Sequence, residues 1–307
     1  MPARRGLAKQ QEATKNPEII MGIYETISQL ETMRKKLLNM NYVLIGCFLC
    51  IFVSAFVPFL FIFVLIIMMG IIKKQAELKS KYKELYKTTF VTQVLNDIFQ
   101  DVHYDYKTGF PSQLVKDMSL CRMGNRFYTE DYLSGRYKGV HFEQADVKVQ
   151  YHTSGKNSHT TTYFEGRMFI FDYPYKRVFS VQVFSDNFNY RCKQPVGFRT
   201  QKIQMESELF NREFDVMAVQ EIEAFYVLTP QMLEKIKAIR DRYKNVALHF
   251  NGNKLFVGIN CGMNAFDGDY KRPIDYNEER RQAYEDGRVI MDIIEALEIR
   301  PEEEPDW

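Results

Sequence analysis

An unbroken apolar run from Val43 to Ile72 constrains this chain more than any other feature. It contains no acidic, basic or amide side chain and no histidine, and Ser54 is its only polar side chain. Stretches of about 18 or more such residues are typical of membrane spans, whereas buried core helices are usually shorter. The run therefore predicts a protein that resides at a membrane.

The topology of the run depends on its length and on its flanks. One straight helix would be about 45 Å long, against a hydrocarbon core of roughly 30 Å. Pro58 lies at the midpoint and favours a break into two legs of about 21 Å each. Since basic residues mark the cytoplasmic side, positive flanks at both ends favour a helical hairpin over the alternative, a kinked single span. These anchor flanks are Arg34, Lys35, Lys36, Lys73 and Lys74.

The pattern outside this run divides the chain into further segments. Two amphipathic helices are predicted on either side of it, and they either pair as an antiparallel stalk or pack separately. The predicted organisation is a disordered basic tail (1–16), an amphipathic helix (17–42), the transmembrane hairpin or kinked span (43–72), a second amphipathic helix (73–101), an α+β soluble domain (102–300) and an acidic tail (301–307).

The domain that follows shows strand signals from about residue 126 onward. A long hairpin is predicted around Ser154-Gly155-Lys156-Asn157, because apolar and polar residues alternate from Val147 to Tyr151 and resume at Thr160. The Asn251-Gly252 step suits the positive backbone angles of a second hairpin turn. Shorter strands are predicted at 177–184, 199–206 and 224–228.

Two helices are predicted near the C-terminus. Thr229-Pro230 has a threonine N-cap followed by proline at the first helical position, which starts a helix reaching about Tyr243. A final helix is predicted over about 277–298. The order of elements predicts an α+β fold with a largely antiparallel sheet, held at the membrane by the apolar hairpin.

At this point the chain resembles the bacterial membrane proteins grouped as "domain of unknown function 3137" (DUF3137). That resemblance implies a bacterial inner-membrane protein with a cytoplasmic domain, and it supplies no activity and no catalytic residues. The residues that carry it, besides the basic-flanked apolar run, are the segments Tyr128 to Gly135, Phe164-Glu165-Gly166, Phe210 to Val216, and Tyr226 to Pro230.

Composition and motifs assign no catalytic, cofactor-binding or metal-binding residue. The 41 basic and 39 acidic residues nearly balance, which gives no field that favours nucleic acid. His152 and His159 could face each other across the hairpin, but no third metal ligand is near them in sequence. Glu130-Asp131 could form a carboxylate pair, yet neither phosphate-loop pattern accompanies it. No G-x-S-x-G motif is present.

An aromatic-rich stretch is the remaining candidate. Most of these side chains are expected in the core, and any that face outward would form an aromatic and basic surface with Lys176, Arg177 and Arg191. The stretch comprises Phe169, Phe171, Tyr173, Tyr175, Phe179, Phe184, Phe188 and Tyr190.

The hypothesis that follows is a membrane-anchored cytoplasmic binding or scaffold module rather than an enzyme. The alternative is an enzyme acting at the inner membrane surface with an unrecognised active site. The expected partners are the lipid bilayer and a protein, without nucleic acid or cofactor, and homo-oligomerisation stays open. The expected location is the inner (cytoplasmic) membrane, with the α+β domain facing the cytoplasm.

Overall fold

The computed structural model describes residues 17–54, 58–173, 180–197, 199–262 and 265–301. They belong to two compact units, each assembled from two parts of the chain. The first unit comprises residues up to 98 together with 266–285, and the second comprises 99–265 together with the residues from 286 onward. The predicted basic tail (1–16), and residues 302–307 of the predicted acidic tail, lie outside the described residues.

The first unit is built from helices. Helix α1 spans Pro17–Ser54, α2 spans Pro58–Tyr86 and α3 spans Thr92–Ile98, with a π-helical turn at Lys87–Val91 between the last two. The side chain of Gln75 donates a hydrogen bond of 2.6 Å to Asn41. Arg34 of α1 also lies near Tyr82 of α2. Because Arg34 comes seven residues before Asn41 and Tyr82 comes seven residues after Gln75, α1 and α2 run antiparallel. Of the two arrangements that the sequence left open, the structure has the paired helices.

The packed side of α1 includes Leu30, Arg34 and Leu37. Leu30 and Leu37 are fully buried, and Arg34 between them is nearly so. The guanidinium of Arg34 donates two hydrogen bonds, of 2.6 and 2.7 Å, to the carboxylate of Glu31 one turn earlier. This ion pair lowers the pKa of Glu31, chiefly through the hydrogen bond from Arg34, and lets an arginine lie between two buried leucines.

The predicted transmembrane hairpin is wrong. Among the residues that the structure describes, no helix is both long enough and apolar enough to cross a membrane. The run is divided between two helices, because α1 ends at Ser54 and Pro58 begins α2. The apolar parts, 43–54 and 58–72, are then roughly 18 and 22 Å long, whereas a span needs roughly 30 Å. The structure therefore does not support the predicted membrane anchor.

The π-helical turn lies beside a group of buried polar contacts. Lys87 is fully buried, and its ammonium group lies 2.9 Å from a carboxylate oxygen of Asp267. The hydroxyl of the preceding residue, Tyr86, donates a hydrogen bond of 2.8 Å to Glu279. Gly268 packs against the same tyrosine, and a Cβ at this position would lie 2.6 Å from the ring. Tyr86 and Lys87, at the start of the π turn, are adjacent in sequence and both buried.

The second unit contains a nine-stranded sheet. Its strands lie in the order β1-β2-β3-β4-β9-β8-β5-β7-β6, and each neighbouring pair is antiparallel. The strands are β1 (Gln100–Asp105), β2 (Arg126–Tyr137), β3 (Val140–His152), β4 (Thr160–Asp172), β5 (Val181–Ser185), β6 (Gln201–Ile203), β7 (Phe214–Ala218), β8 (Val246–Asn251) and β9 (Lys254–Ile259).

Helices accompany the sheet. They are α4 (Ser112–Met118), α5 (Glu208–Glu213), α6 (Glu221–Val227), α7 (Pro230–Tyr243) and α8 (Tyr276–Ala296), whose residues from Asp286 onward belong to this unit. One face of the sheet packs with α4 in a core cluster that includes Met118, Val147 and Phe164. On the other face Arg167 donates a hydrogen bond of 2.6 Å to the backbone carbonyl of Asp286.

The predicted α+β fold with a largely antiparallel sheet is confirmed, and so are both predicted hairpins, β3–β4 and β8–β9. Thr229 is the N-cap of α7, accepting a hydrogen bond of 3.3 Å from the backbone N–H of Met232. The strand predicted at 224–228 is wrong, because residues 221–227 form α6. Glu130-Asp131 lies within β2 at a β-bulge, and Asp131 there has a positive φ of 59°.

Candidate functional site

Three tyrosines and one arginine form an aromatic surface at one end of the sheet. The rings of Tyr151 and Tyr163 are nearly parallel, at 4°, with centroids 6.1 Å apart. The ring of Tyr190 follows at 4.9 Å from that of Tyr163, tilted by 32°. The guanidinium of Arg122 lies 5.2 Å from the centre of the Tyr163 ring. We refer to these four residues as the tyrosine surface.

A β-bulge places Tyr163 in the middle of this surface. Val149 of β3 pairs with Phe164, while the next residue, Gln150, pairs with Thr162. Tyr163 is therefore the extra residue on β4, and a bulge re-aims the side chain that it carries. Tyr151 lies on the same face of β3 as Val149, because alternate residues of a strand share a face. The bulge thus brings the two rings together near the end of the hairpin.

Backbone pairing brings the other two members to this place. The N–H of Arg122 donates a hydrogen bond of 2.8 Å to the carbonyl of Tyr190, and Cys121 pairs with Arg191 in an isolated β-bridge. Below them Phe164 and Phe188 are buried, with ring centroids 6.2 Å apart. The surface therefore rests directly on the core, which holds its rings in place before any ligand binds.

Two arginines at the tyrosine surface, Arg122 and the neighbour of Tyr190, Arg191, differ in their pairing. Arg191 and Lys202 both pair with Asp215, and although burial raises the pKa of this carboxyl, their hydrogen bonds hold it below its usual range. Arg122 is exposed, and the structure shows no carboxylate paired with it in the part of the chain that it describes. The cation of Arg122 is therefore available to a ligand.

Tyrosine and arginine in this arrangement suit a ligand with flat groups and negative charge. Aromatic rings stack on other flat groups, and an arginine that lies over a ring adds a cation beside them. Both residue types are enriched where proteins bind other proteins. Tyr151 is 42% exposed, and Tyr163 and Tyr190 are half-buried, so the surface combines accessible edges with a rigid base.

A serine and a histidine are also hydrogen-bonded, inside the core. Since Nδ1 of His249 donates to the carbonyl of Met118 at 2.8 Å, Nε2 accepts the hydroxyl proton of Ser180 at 2.9 Å. Gln182 donates a hydrogen bond of 2.7 Å to the next carbonyl, that of Ser119. Ser180 and His249 are both 0% exposed, so a substrate has no access to them. Their role is to satisfy the free carbonyls at the end of α4.

The other residues singled out in the sequence are dispersed. Asp131 is buried and accepts a hydrogen bond of 2.6 Å from the hydroxyl of Tyr104. His152 and His159 bind the hydroxyls of Thr160 and Thr153, each at 2.9 Å, and among the described residues no group of three metal-ligating side chains is found. The cysteine near the tyrosine surface, Cys121, is buried, which raises its pKa to about 12 and leaves the thiol protonated.

The predicted aromatic group divides between core and surface. Phe169, Phe171, Tyr173, Phe184 and Phe188 are buried, and Tyr190 alone among its described members lies in the tyrosine surface. Tyr175, Lys176, Arg177 and Phe179 lie outside the described residues. The sequence analysis missed Arg122, Tyr151 and Tyr163, and alternation on the β3–β4 hairpin is the signal that could have identified Tyr151.

The basic residues predicted as anchor flanks take several roles. Arg34 and Lys35 both approach Glu31, with N to O distances of 2.6 and 3.9 Å. Lys36 of α1 and Lys74 of α2 line one groove, and Lys73 beside it is exposed. Pro58 begins α2.

Comparison with known proteins agrees with the resemblance to DUF3137 over part of the chain. Residues 162–299 match the model of the family described as "Protein of unknown function (DUF3137)". No curated protein matches the chain. Among solved structures, the chain is similar to the mycobacterial trehalose monomycolate transport factor A, with 10% identity and a TM-score of 0.37 over 72% of this chain and 98% of that chain.

Proposed function

We propose that this DUF3137 protein is a non-catalytic binding module, and that its tyrosine surface binds a segment of a protein partner. The segment is acidic and carries flat side chains, such as aromatic residues or proline. The observation that supports the proposal is the stacked pair of Tyr151 and Tyr163, with the tilted ring of Tyr190 beside Tyr163 and the exposed Arg122 over it.

The geometry favours a peptide over a compact small molecule. The three rings form a row rather than a closed pocket, with successive centroid distances of 6.1 and 4.9 Å. A row of this kind can contact successive side chains of an extended segment, because alternate residues of such a segment lie about 7 Å apart. The cation of Arg122 then selects carboxylates among them.

A peptide library displayed on phage, selected against the full chain, tests this proposal. The selected peptides should be enriched in Asp and Glu together with aromatic residues or proline. Their affinity should fall about three- to tenfold in Tyr151→Ser and in Arg122→Gln, since each contact contributes about 1 kcal/mol.

The matched control is Tyr128→Ser. Tyr128 is 54% exposed, and it pairs with Lys148 on the opposite face of the sheet from Val149 and Tyr151. Its replacement should leave binding unchanged. Selection without acidic and flat residues, or equal losses in Tyr128→Ser and Tyr151→Ser, would contradict the proposal.

The inner-membrane location stays a prediction, which fractionation of cells tests.

A further inference from the structure

A groove between α1 and α2 of the helical unit carries an unbalanced positive charge. It has a volume of about 460 Å³ and is lined by Lys36, Asn39, Lys74, Glu77 and Lys81, together with two apolar side chains. Three lysines against one glutamate leave a net charge of +2 on the lining residues. The groove belongs to a different unit from the tyrosine surface.

Helix geometry places the lysines together. Lys74, Glu77 and Lys81 are spaced by three and four residues, which puts them on one face of α2, and Lys36 and Asn39 are spaced by three on α1. The hydrogen bond of 2.6 Å between Gln75 and Asn41, beside the groove, sets the register of the two helices. The separation of the lysines is therefore determined by helix packing and does not depend on an exposed loop.

These three lysines differ from other lysines of the same unit. Lys87 and Lys83 both lie near Asp267, at 2.9 and 3.2 Å, and Lys35 lies 3.9 Å from Glu31. No such carboxylate contact is found for the groove lysines within the described part of the chain. Glu77 is the one acidic residue of the lining, so two of the three positive charges are uncompensated.

We propose that this groove binds a phosphate-bearing ligand. A phosphate group offers several strong acceptor oxygens, and lysine ammonium groups bind phosphate as compact point charges. The three lysines that line one groove supply positive charge for an anionic phosphate group, and the amide of Asn39 adds a neutral donor. The source of the phosphate is either a free anion or the headgroup of an anionic lipid, which the experiment distinguishes.

The experiment measures binding of the full chain to three probes. These are inorganic pyrophosphate by calorimetry, and flotation with vesicles of phosphatidylcholine, with or without one third phosphatidylglycerol. The variant K36Q/K74Q/K81Q should bind the responsive probe at least about tenfold more weakly, which corresponds to about 1.4 kcal/mol. Binding of pyrophosphate identifies a free anion, and binding of the anionic vesicles alone identifies a lipid headgroup.

The charge-matched control is K116Q/K156Q/K271Q, which removes three exposed lysines outside the groove lining. It should retain the affinity of the unmodified chain, and added salt should weaken binding in both proteins. Equal losses in the two triple variants overturn the proposal, because they show a response to net charge alone. Absence of binding to pyrophosphate and to anionic vesicles also overturns it, and neither result depends on peptide binding at the tyrosine surface.

Discussion

His249 couples the stability of the sheet unit to pH. Its burial lowers the pKa of the imidazole from 6.5 to about 4, against an opposing hydrogen bond to Met118. The folded chain keeps the ring neutral, whereas the unfolded chain takes up a proton near pH 6.5. Because the unfolded chain binds more protons between these values, the free energy of unfolding falls as the pH falls from 6.5 to about 4.

Between about pH 7 and about pH 4.5 we expect this histidine to account for about 2 kcal/mol of that loss. Urea denaturation at about pH 7 and about pH 4.5 measures it. His249→Asn should show a smaller difference between the two conditions than the unmodified chain. His159→Asn, at an exposed histidine of the β3–β4 loop, should keep the full difference. Parallel pH dependence of His249→Asn and the unmodified chain would contradict the assignment.

The helical unit has no room for a side chain at Gly268. Gly268→Ala would place a methyl group 2.6 Å from the buried ring of Tyr86, where the neighbouring hydrogen bond to Glu279 resists movement. We expect a loss of about 1–3 kcal/mol in the free energy of unfolding, as for overpacking elsewhere. Gly22→Ala is the control, because that glycine lies in α1 with nothing within 4 Å of the added Cβ. It should be neutral or slightly stabilising.

At the same scale, the tyrosine surface shows what sequence reasoning cannot reach. Tyr151, Tyr163 and Tyr190 come from separate segments, and they meet through a bulge in β4 and an isolated bridge at Cys121. A bulge without glycine leaves no residue signature, and a single bridge leaves no periodicity. The abundance of aromatic residues was visible, but their division between core and surface depends on register.

Among the elements, those with a local start or turn signal were predicted correctly. Thr229-Pro230 begins α7, and Gly252, with φ of 60°, closes the turn between β8 and β9. Residues 224–228 were mistaken for a strand because they are rich in aromatic and β-branched residues. Ala224, Val227 and Leu228 are buried at spacings of three and four, and this helical burial prevailed over strand propensity.

The N-cap of α7 gives a prediction at the scale of the element. Thr229→Ala removes the acceptor for the backbone N–H of Met232, and we expect a loss of about 1 kcal/mol in the free energy of unfolding. Thr229→Ser retains the hydroxyl and should lose much less. Denaturation by urea measures both variants. Similar losses in the two would show that the methyl group of the threonine, rather than its hydroxyl, stabilises the helix.

At the scale of the whole molecule, the two units each have their own buried residues, so their stabilities need not be equal. Gly268→Ala acts within the helical unit. We expect it to reduce protection from hydrogen exchange at the amides of Phe90 and Leu95 by more than at those of Val147 and Val149 in β3. Native-state exchange read by mass spectrometry or NMR measures this. A uniform reduction across all four amides would show that the chain opens as one cooperative body.

The contact between Tyr86 and Glu279 joins residues that are 193 positions apart within one unit. A ribosome adds about 5–20 residues per second, so α1 and α2 emerge roughly 10–40 s before the segment that completes their packing. The rings of Tyr86 and Phe90 are buried in the finished unit, where they contact Glu279 and Tyr276. During that interval neither of these two partners has been synthesised. Helices α1 and α2 therefore wait for residues 266–285 before their unit is complete, and a nascent chain halted before residue 266 would present them to chaperones.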